Sequence, residues 1–181
     1  MSIYDNIKVC CVDLDGVLTD GTYQVSEDGS FSKTFYTRDF DALSQLLKKD
    51  IIVIIMSTSH DDVILKQIER IKIQSNIAEL WNKWEKDKKL IVINKSGNKK
   101  DRLNNLLVDI KLEWFNVAYM GDAEGDIECM DLAGFTGCPS DAIDEVKKSA
   151  HYPSDFPGGK GAVYDFCINI LKKKREENGN E

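Results

Sequence analysis

The sequence predicts an α/β fold, a doubly wound and mostly parallel Rossmann-like sheet, and three observations carry that expectation. Apolar runs of strand length alternate along the chain with stretches of helical periodicity. Two of those runs end in acid and glycine together, at Asp13-Leu14-Asp15-Gly16 and at Gly121-Asp122. No internal repeat and no linker interrupts the alternation. In an open sheet of this kind ligands gather beyond the carboxyl ends of the strands, so the two acidic ends are expected at one edge.

The elements follow in order. Residues 7 to 13 form the first strand, its apolar core Val9–Val12 reading as buried. It stops at Asp13 and Asp15, and Gly16, without a Cβ, lets the chain turn sharply. Two neighbouring carboxylates repel unless a cation or proton offsets them. The pattern therefore suggests a hard metal such as Mg²⁺ and a substrate such a metal helps to hold, a phosphate. Two alternating runs, Thr22–Ser26 and Phe31–Thr37, flank Glu27-Asp28-Gly29-Ser30 and predict a β-hairpin projecting over the acidic edge.

Asp39 is expected to cap a helix from Phe40 to Lys49 with Leu43, Leu46 and Leu47 on one face. Ile51–Met56 is the next strand, followed by Ser57-Thr58-Ser59-His60, where His60 reads as a surface residue. Asp61 or Asp62 caps a helix ending near Ile71. Within 74–89, Ile77, Leu80, Trp81 and Trp84 keep helical spacing, which predicts a short extra helix packed on the body.

Leu90–Ile93 is a strand, 94–98 a turn, and Lys99 and Lys100 open a helix with Leu103, Leu106, Leu107 and Ile110 on one face. Phe115–Met120 and 134–138 are further strands, with Asp126 on the helix between them. Asp141 is a cap for a helix over 142–149, and His151 ends a strand. A last helix covers 162–174. Residues 1–175 read as one domain and 176–181 as a mobile tail.

Composition bounds the function. A chain of 181 residues, 42% apolar and 30% charged, is that of an ordinary soluble domain with a sizeable core. The formal net charge of −7 argues against a nucleic-acid partner. It leaves a phosphate substrate open, because an anion is bound by local charge. The five cysteines show no C-x-x-C spacing and read as reduced, buried thiols. With no signal peptide in the polar start and no run long enough to cross a membrane, a cytoplasmic enzyme is expected.

Asp13-Leu14-Asp15-Gly16-Val17-Leu18-Thr19-Asp20-Gly21 resembles the first motif of the haloacid dehalogenase superfamily. Within it the stretch is most similar to the capless 3-deoxy-D-manno-octulosonate 8-phosphate phosphatase family. The phosphatase domain joined to some acylneuraminate cytidylyltransferases belongs to the same group. Ser57, or else Thr58, matches the second motif, although Thr58-Ser59 replaces the usual Gly-Arg. Lys99, or else Lys100, matches the third-motif lysine. Gly121-Asp122-Ala123-Glu124-Gly125-Asp126 resembles the fourth motif, with Ala123 where many relatives carry a second aspartate. Arg38-Asp39 resembles a pair at the end of the family's hairpin, here followed by Phe40 instead of glycine. Gly158-Gly159-Lys160-Gly161-Ala162-Val163 resembles its C-terminal signature, with Tyr164-Asp165 for the usual Arg-Glu. Only 74–89 falls outside the resemblance, and no insertion is large enough for a cap domain.

The resemblance implies roles. Asp13 is the nucleophile that forms an aspartyl-phosphate, and Asp15 protonates the leaving sugar oxygen and then deprotonates water. Mg²⁺ is held by Asp13, the Asp15 backbone carbonyl and Asp122. Ser57 and Lys99 hold phosphoryl oxygens, Asp126 supports the site, and Arg38 has a lesser part in substrate contact. The implied substrate is a sugar-acid phosphate, of the 3-deoxy-octulosonate 8-phosphate or nonulosonate 9-phosphate type. The implied assembly is a homotetramer in which neighbours' hairpins close the site. The alternative is a catalytically weak oligomerisation or regulatory domain, of the kind found fused to cytidylyltransferases. A phosphoacceptor receiver domain is disfavoured, because its acceptor would need the middle strand, expected here to end in Ser57.

Overall fold

The structure, a computed structural model, describes residues 2–178. In chain order the elements are α1 (Ile3–Asn6), β1 (Val9–Asp13), β2 (Gln24–Val25), β3 (Phe31–Ser32), α2 (Thr37–Leu47), β4 (Ile52–Met56), α3 (Val63–Gln74), α4 (Ala78–Lys86), β5 (Leu90–Ile93), α5 (Lys99–Asp109), β6 (Val117–Met120), α6 (Glu124–Leu132), β7 (Phe135–Cys138), α7 (Asp144–Ser149), β8 (Tyr152–Pro153) and α8 (Ala162–Asn178). Six strands form one parallel sheet in the order β5-β4-β1-β6-β7-β8. The order reverses at β1, which places the switch in chain direction, and hence the crevice, at the end of that strand.

Alternation along each strand divides the core into two layers. Cys10, Val12, Val53, Ile55, Ala118 and Met120 face helices α2, α3, α4 and α8, against Leu43, Ile64, Trp81 and Phe166. Val9, Cys11, Ile54, Met56, Val117 and Tyr119 face α5, α6 and α7, against Leu103, Cys129 and Val146. Strands buried on both faces read as continuous apolar runs, which is why β1, β4 and β6 were legible. The doubly wound reading therefore holds, with one correction: the middle of the sheet is β1, ending in Asp13, and β4, the strand before Ser57, lies beside it. All five cysteines are buried thiols without a disulfide.

The hairpin exists, paired antiparallel through Gln24↔Ser32 and Val25↔Phe31, but its strands are two residues long. It stands apart from the main sheet, and Tyr23, Val25 and Phe31 on it are exposed.

Two capping expectations change, and a third is settled between its two alternatives. Helix α2 begins at Thr37, so Asp39 lies inside its first turn, fully buried. There it accepts the backbone N–H of Tyr164 at 2.8 Å and so caps α8 instead. Asp141 accepts from the N–H of Gly158 at 3.0 Å, because α7 starts only at Asp144. Asp61, not Asp62, bonds the N–H of Val63 at the start of α3. The stretch 74–89 contains a helix, α4, packed on the body: Trp81 and Trp84 are buried edge to face with ring centroids 5.5 Å apart, whereas Leu80 turns outward. Lys72 fastens it to α3 by bridging Glu69 and Glu85. The last helix runs on to Asn178, and residues 179–181 of the expected tail lie outside the described residues.

Candidate active site

Strand register brings the motif residues together. Asp13 pairs with Met56 and Val12 with Met120, so Asp13, Ser57 and Gly121-Asp122 follow one another across the same sheet edge. The chain then turns through 14–18, where Gly16 has φ +89° and the N–H of Thr19 closes onto the Leu14 carbonyl at 2.9 Å. A side chain at Gly16 would be strained, and its Cβ would overlap the Asp122 carboxylate. The glycine lets the two acidic strand ends meet. On the other side of the turn Gly158 packs so tightly on the Gly16 carbonyl that a Cβ there would overlap it, and the N–H of Gly159 bonds the Val17 carbonyl at 2.9 Å. The C-terminal glycines thus clamp the 14–18 turn.

Lys99, first residue of α5 and only 7% exposed, donates to Asp13 Oδ1 and to Asp126 Oδ1, each at 2.7 Å. Asp126 is saturated. Its Oδ1 also accepts the Tyr119 hydroxyl at 2.7 Å, and its Oδ2 accepts the N–H groups of Asp122 at 3.1 Å and Ala123 at 3.3 Å. Asp122 differs, since its Oδ1 is buried with no hydrogen-bond partner. Carboxylate oxygens of Asp13, Asp122 and Asp126 all lie within 4.8 Å of one another.

Three acids against one ammonium leave the protein alone short of positive charge. Burial, then the Asp126 charge, pushes the Asp13 carboxyl up to about 8, with Lys99 opposing. The same two causes raise Asp122 to about 6. Burial works against the Lys99 ammonium, but Asp13 and Asp126 outweigh it and hold it protonated. An all-oxygen set with an orphaned buried acceptor fits a hard divalent cation. The open positions belong to Asp13 and Asp122, since Asp126 has no lone pair left over.

The other motif residues divide. The Ser57 hydroxyl oxygen accepts the N–H of Ser59 at 2.9 Å, and its own O–H has no acceptor among the described residues. Thr58 is exposed. Lys100 points away, 3.3 Å from Glu128. Arg38 is exposed at the start of α2 and makes no ion pair among the described residues.

Asp15 sits apart from the three-acid cluster. Its carboxylate accepts from the Thr19 hydroxyl at 3.3 Å and from Lys33, 2.8 Å from one oxygen and 3.0 Å from the other. Lys33 also bonds Asp61 at 2.8 Å. A cavity of about 500 Å³ opens beside Asp15, walled by Tyr23, Phe31, Lys33 and His60. Sequence reasoning missed Lys33 and Tyr119 and gave Asp61 only a capping part. Period-two alternation, which sets Phe31, Lys33 and Phe35 on one face, was the signal available for Lys33.

Known proteins resemble the chain over most of its length. The chain is 27% identical over 170 residues to the N-acylneuraminate cytidylyltransferase A of Danio rerio, covering 94% of this chain and 36% of that one. It spans little more than a third of the length of the cytidylyltransferase relatives it matches. It is 28% identical over 171 residues to the 3-deoxy-D-manno-octulosonate 8-phosphate phosphatase of Escherichia coli, covering 94% and 82%. The crystal structure of the phosphatase of that name from Moraxella catarrhalis, in complex with magnesium ion, phosphate ion and KDO, superposes with a TM-score of 0.79 at 25% identity, covering 94% and 90%. A haloacid dehalogenase-like hydrolase profile matches residues 4–166. Nearly the whole chain, acidic strand ends included, therefore belongs to the haloacid dehalogenase-like hydrolase family.

Proposed function

We propose that the protein is a Mg²⁺-dependent phosphatase that hydrolyses a sugar-acid phosphate, of the 3-deoxy-octulosonate 8-phosphate or nonulosonate 9-phosphate type, through an aspartyl-phosphate on Asp13. The observation that carries this reading is the buried Lys99 bridge, 2.7 Å from Asp13 and 2.7 Å from Asp126, with the unpartnered Asp122 oxygen beside it.

In this reading a carboxylate oxygen of Asp13 attacks phosphorus as the bond to the sugar oxygen breaks, and Asp15 delivers its proton to that oxygen. Asp15, now a carboxylate, takes a proton from water. The water oxygen attacks phosphorus, and phosphate leaves with Asp13 restored. Lys99 and the Ser57 hydroxyl hold the phosphoryl oxygens, and Asp126 fixes Lys99. Mg²⁺, held by Asp13, the Asp15 carbonyl and Asp122, would offset the charge of nucleophile and phosphate together.

Retention of Asp13, Asp15, Asp122 and Lys99 supports catalysis over the regulatory alternative. The absence of a cap among the described residues and the short exposed hairpin support a homotetramer with neighbours' hairpins as lids. No helix of the described residues is long and apolar enough to cross a membrane. That observation and the unpaired thiols support a cytoplasmic protein. The test is phosphate release from a panel of sugar phosphates with Mg²⁺, for wild type and Asp13→Asn. Release by the wild type and not by the variant is expected; equal release would refute the mechanism.

A further inference from the structure

We infer that Lys33 is a positioning residue for the proton-transferring carboxyl of Asp15, acting as a clamp set by the hairpin across the leaving-group side of the site. The inference rests on the phosphatase reading and goes beyond it, since none of the four motifs contains Lys33.

The geometry is asymmetric. The Asp15 side chain is 37% exposed, whereas that of Lys33 is 5% exposed. A half-exposed aspartate on a turn is free to change rotamer; a buried ammonium bound to both its oxygens removes that freedom. Lys33 is itself fixed through Asp61, 2.8 Å away. Asp61 is held in turn by the Ser59 hydroxyl and by the N–H of Val63 at 3.0 Å. The chain of contacts thus runs from the start of α3 to the acid.

Asp61 also serves Lys33 as a standing counter-ion. One buried cation thus ties the turn that carries Asp15 to the start of α3. Lys33, Tyr23 and Phe31 come from the hairpin and border the same cavity as Asp15, so the clamp stands where a leaving sugar would lie.

Leaving-group dependence tests this. The fastest sugar phosphate of the panel needs its alkoxide protonated, whereas p-nitrophenyl phosphate releases a phenolate that is stable without a proton. Lys33→Met should lower kcat on the sugar ester at least tenfold more than on the aryl ester, with KM changing severalfold or less. Lys33→Arg should recover most of that gap, and Asp61→Asn should fall between. A variant that loses structure would lose both activities alike. Equal losses on the two esters, or no loss in Lys33→Met, would overturn the inference and leave the phosphatase reading standing. A wild type that cleaves no sugar ester would overturn both.

Discussion

Asp13 and Asp15 stand two positions apart and live in different surroundings. Asp13 is 6% exposed at the end of the middle strand, tied to a lysine 86 positions away whose helix packs under the sheet. Asp15 is open to a cavity and tied to a lysine 18 positions away, on a hairpin with two-residue strands. The sheet fixes the first by burial from both faces; a local excursion fixes the second. The difference teaches which half of the site is free to vary. The Asp13–Lys99 side cannot shift without repacking two core layers, while the Asp15–Lys33 side changes with a few exposed residues.

Substitutions grade this contrast. If Asp13 is the nucleophile proposed above, Asp13→Asn should leave on the order of 10⁻⁴ of wild-type turnover on every ester, measured by phosphate release. Lys99→Met should lower kcat by about 10²–10³-fold. It should also cost roughly 3–5 kcal/mol of stability by stranding two buried carboxylates, read from urea denaturation. A variant as stable as wild type would show that the Asp13–Lys99 side is less rigid than its burial implies.

The metal-free protein should respond to pH. Asp13 and Asp122, at about 8 and about 6 in the fold, both lie above the ordinary carboxylate value of about 3.9. The folded state then keeps protons that the unfolded chain releases, so stability falls as pH rises from about 4 through about 8. Mg²⁺ should offset that loss, so its gain in Tm should be larger at pH 8 than at pH 5. A gain independent of pH would break the link between the acid cluster and the ion. The smallest effect belongs to the hairpin: Tyr23→Ala, at an exposed residue beside the cavity, should raise KM by less than tenfold and leave Tm unchanged.

Sequence made the interior legible and the crossings not. β1, β4 and β6 announce themselves because burial on both faces demands unbroken apolar runs, and the acidic ends of β1 and β6 name the edge. Lys99 was reached through its resemblance to the family's third-motif lysine, and it stands at the first position of α5. Strand order was misjudged at the centre, since nothing in Ile52–Met56 distinguishes a neighbour of β1 from the middle itself. Asp39 was assigned to its own helix, although burial turned it toward Tyr164, 125 positions away. Lys33 escaped because its meaning depends on the direction in which a short hairpin leans. Local pattern cannot encode contacts between segments that only tertiary packing brings face to face.

Gly158 lies against the carbonyl of Gly16, so the loop carrying Asp15 is completed by backbone from the far end of the domain. A nascent chain that has emerged only as far as β8 has every acid of the site and no wall behind the turn that holds one of them. Competence should therefore switch on only once the diglycine has emerged and seats, and not rise gradually as the strands accumulate.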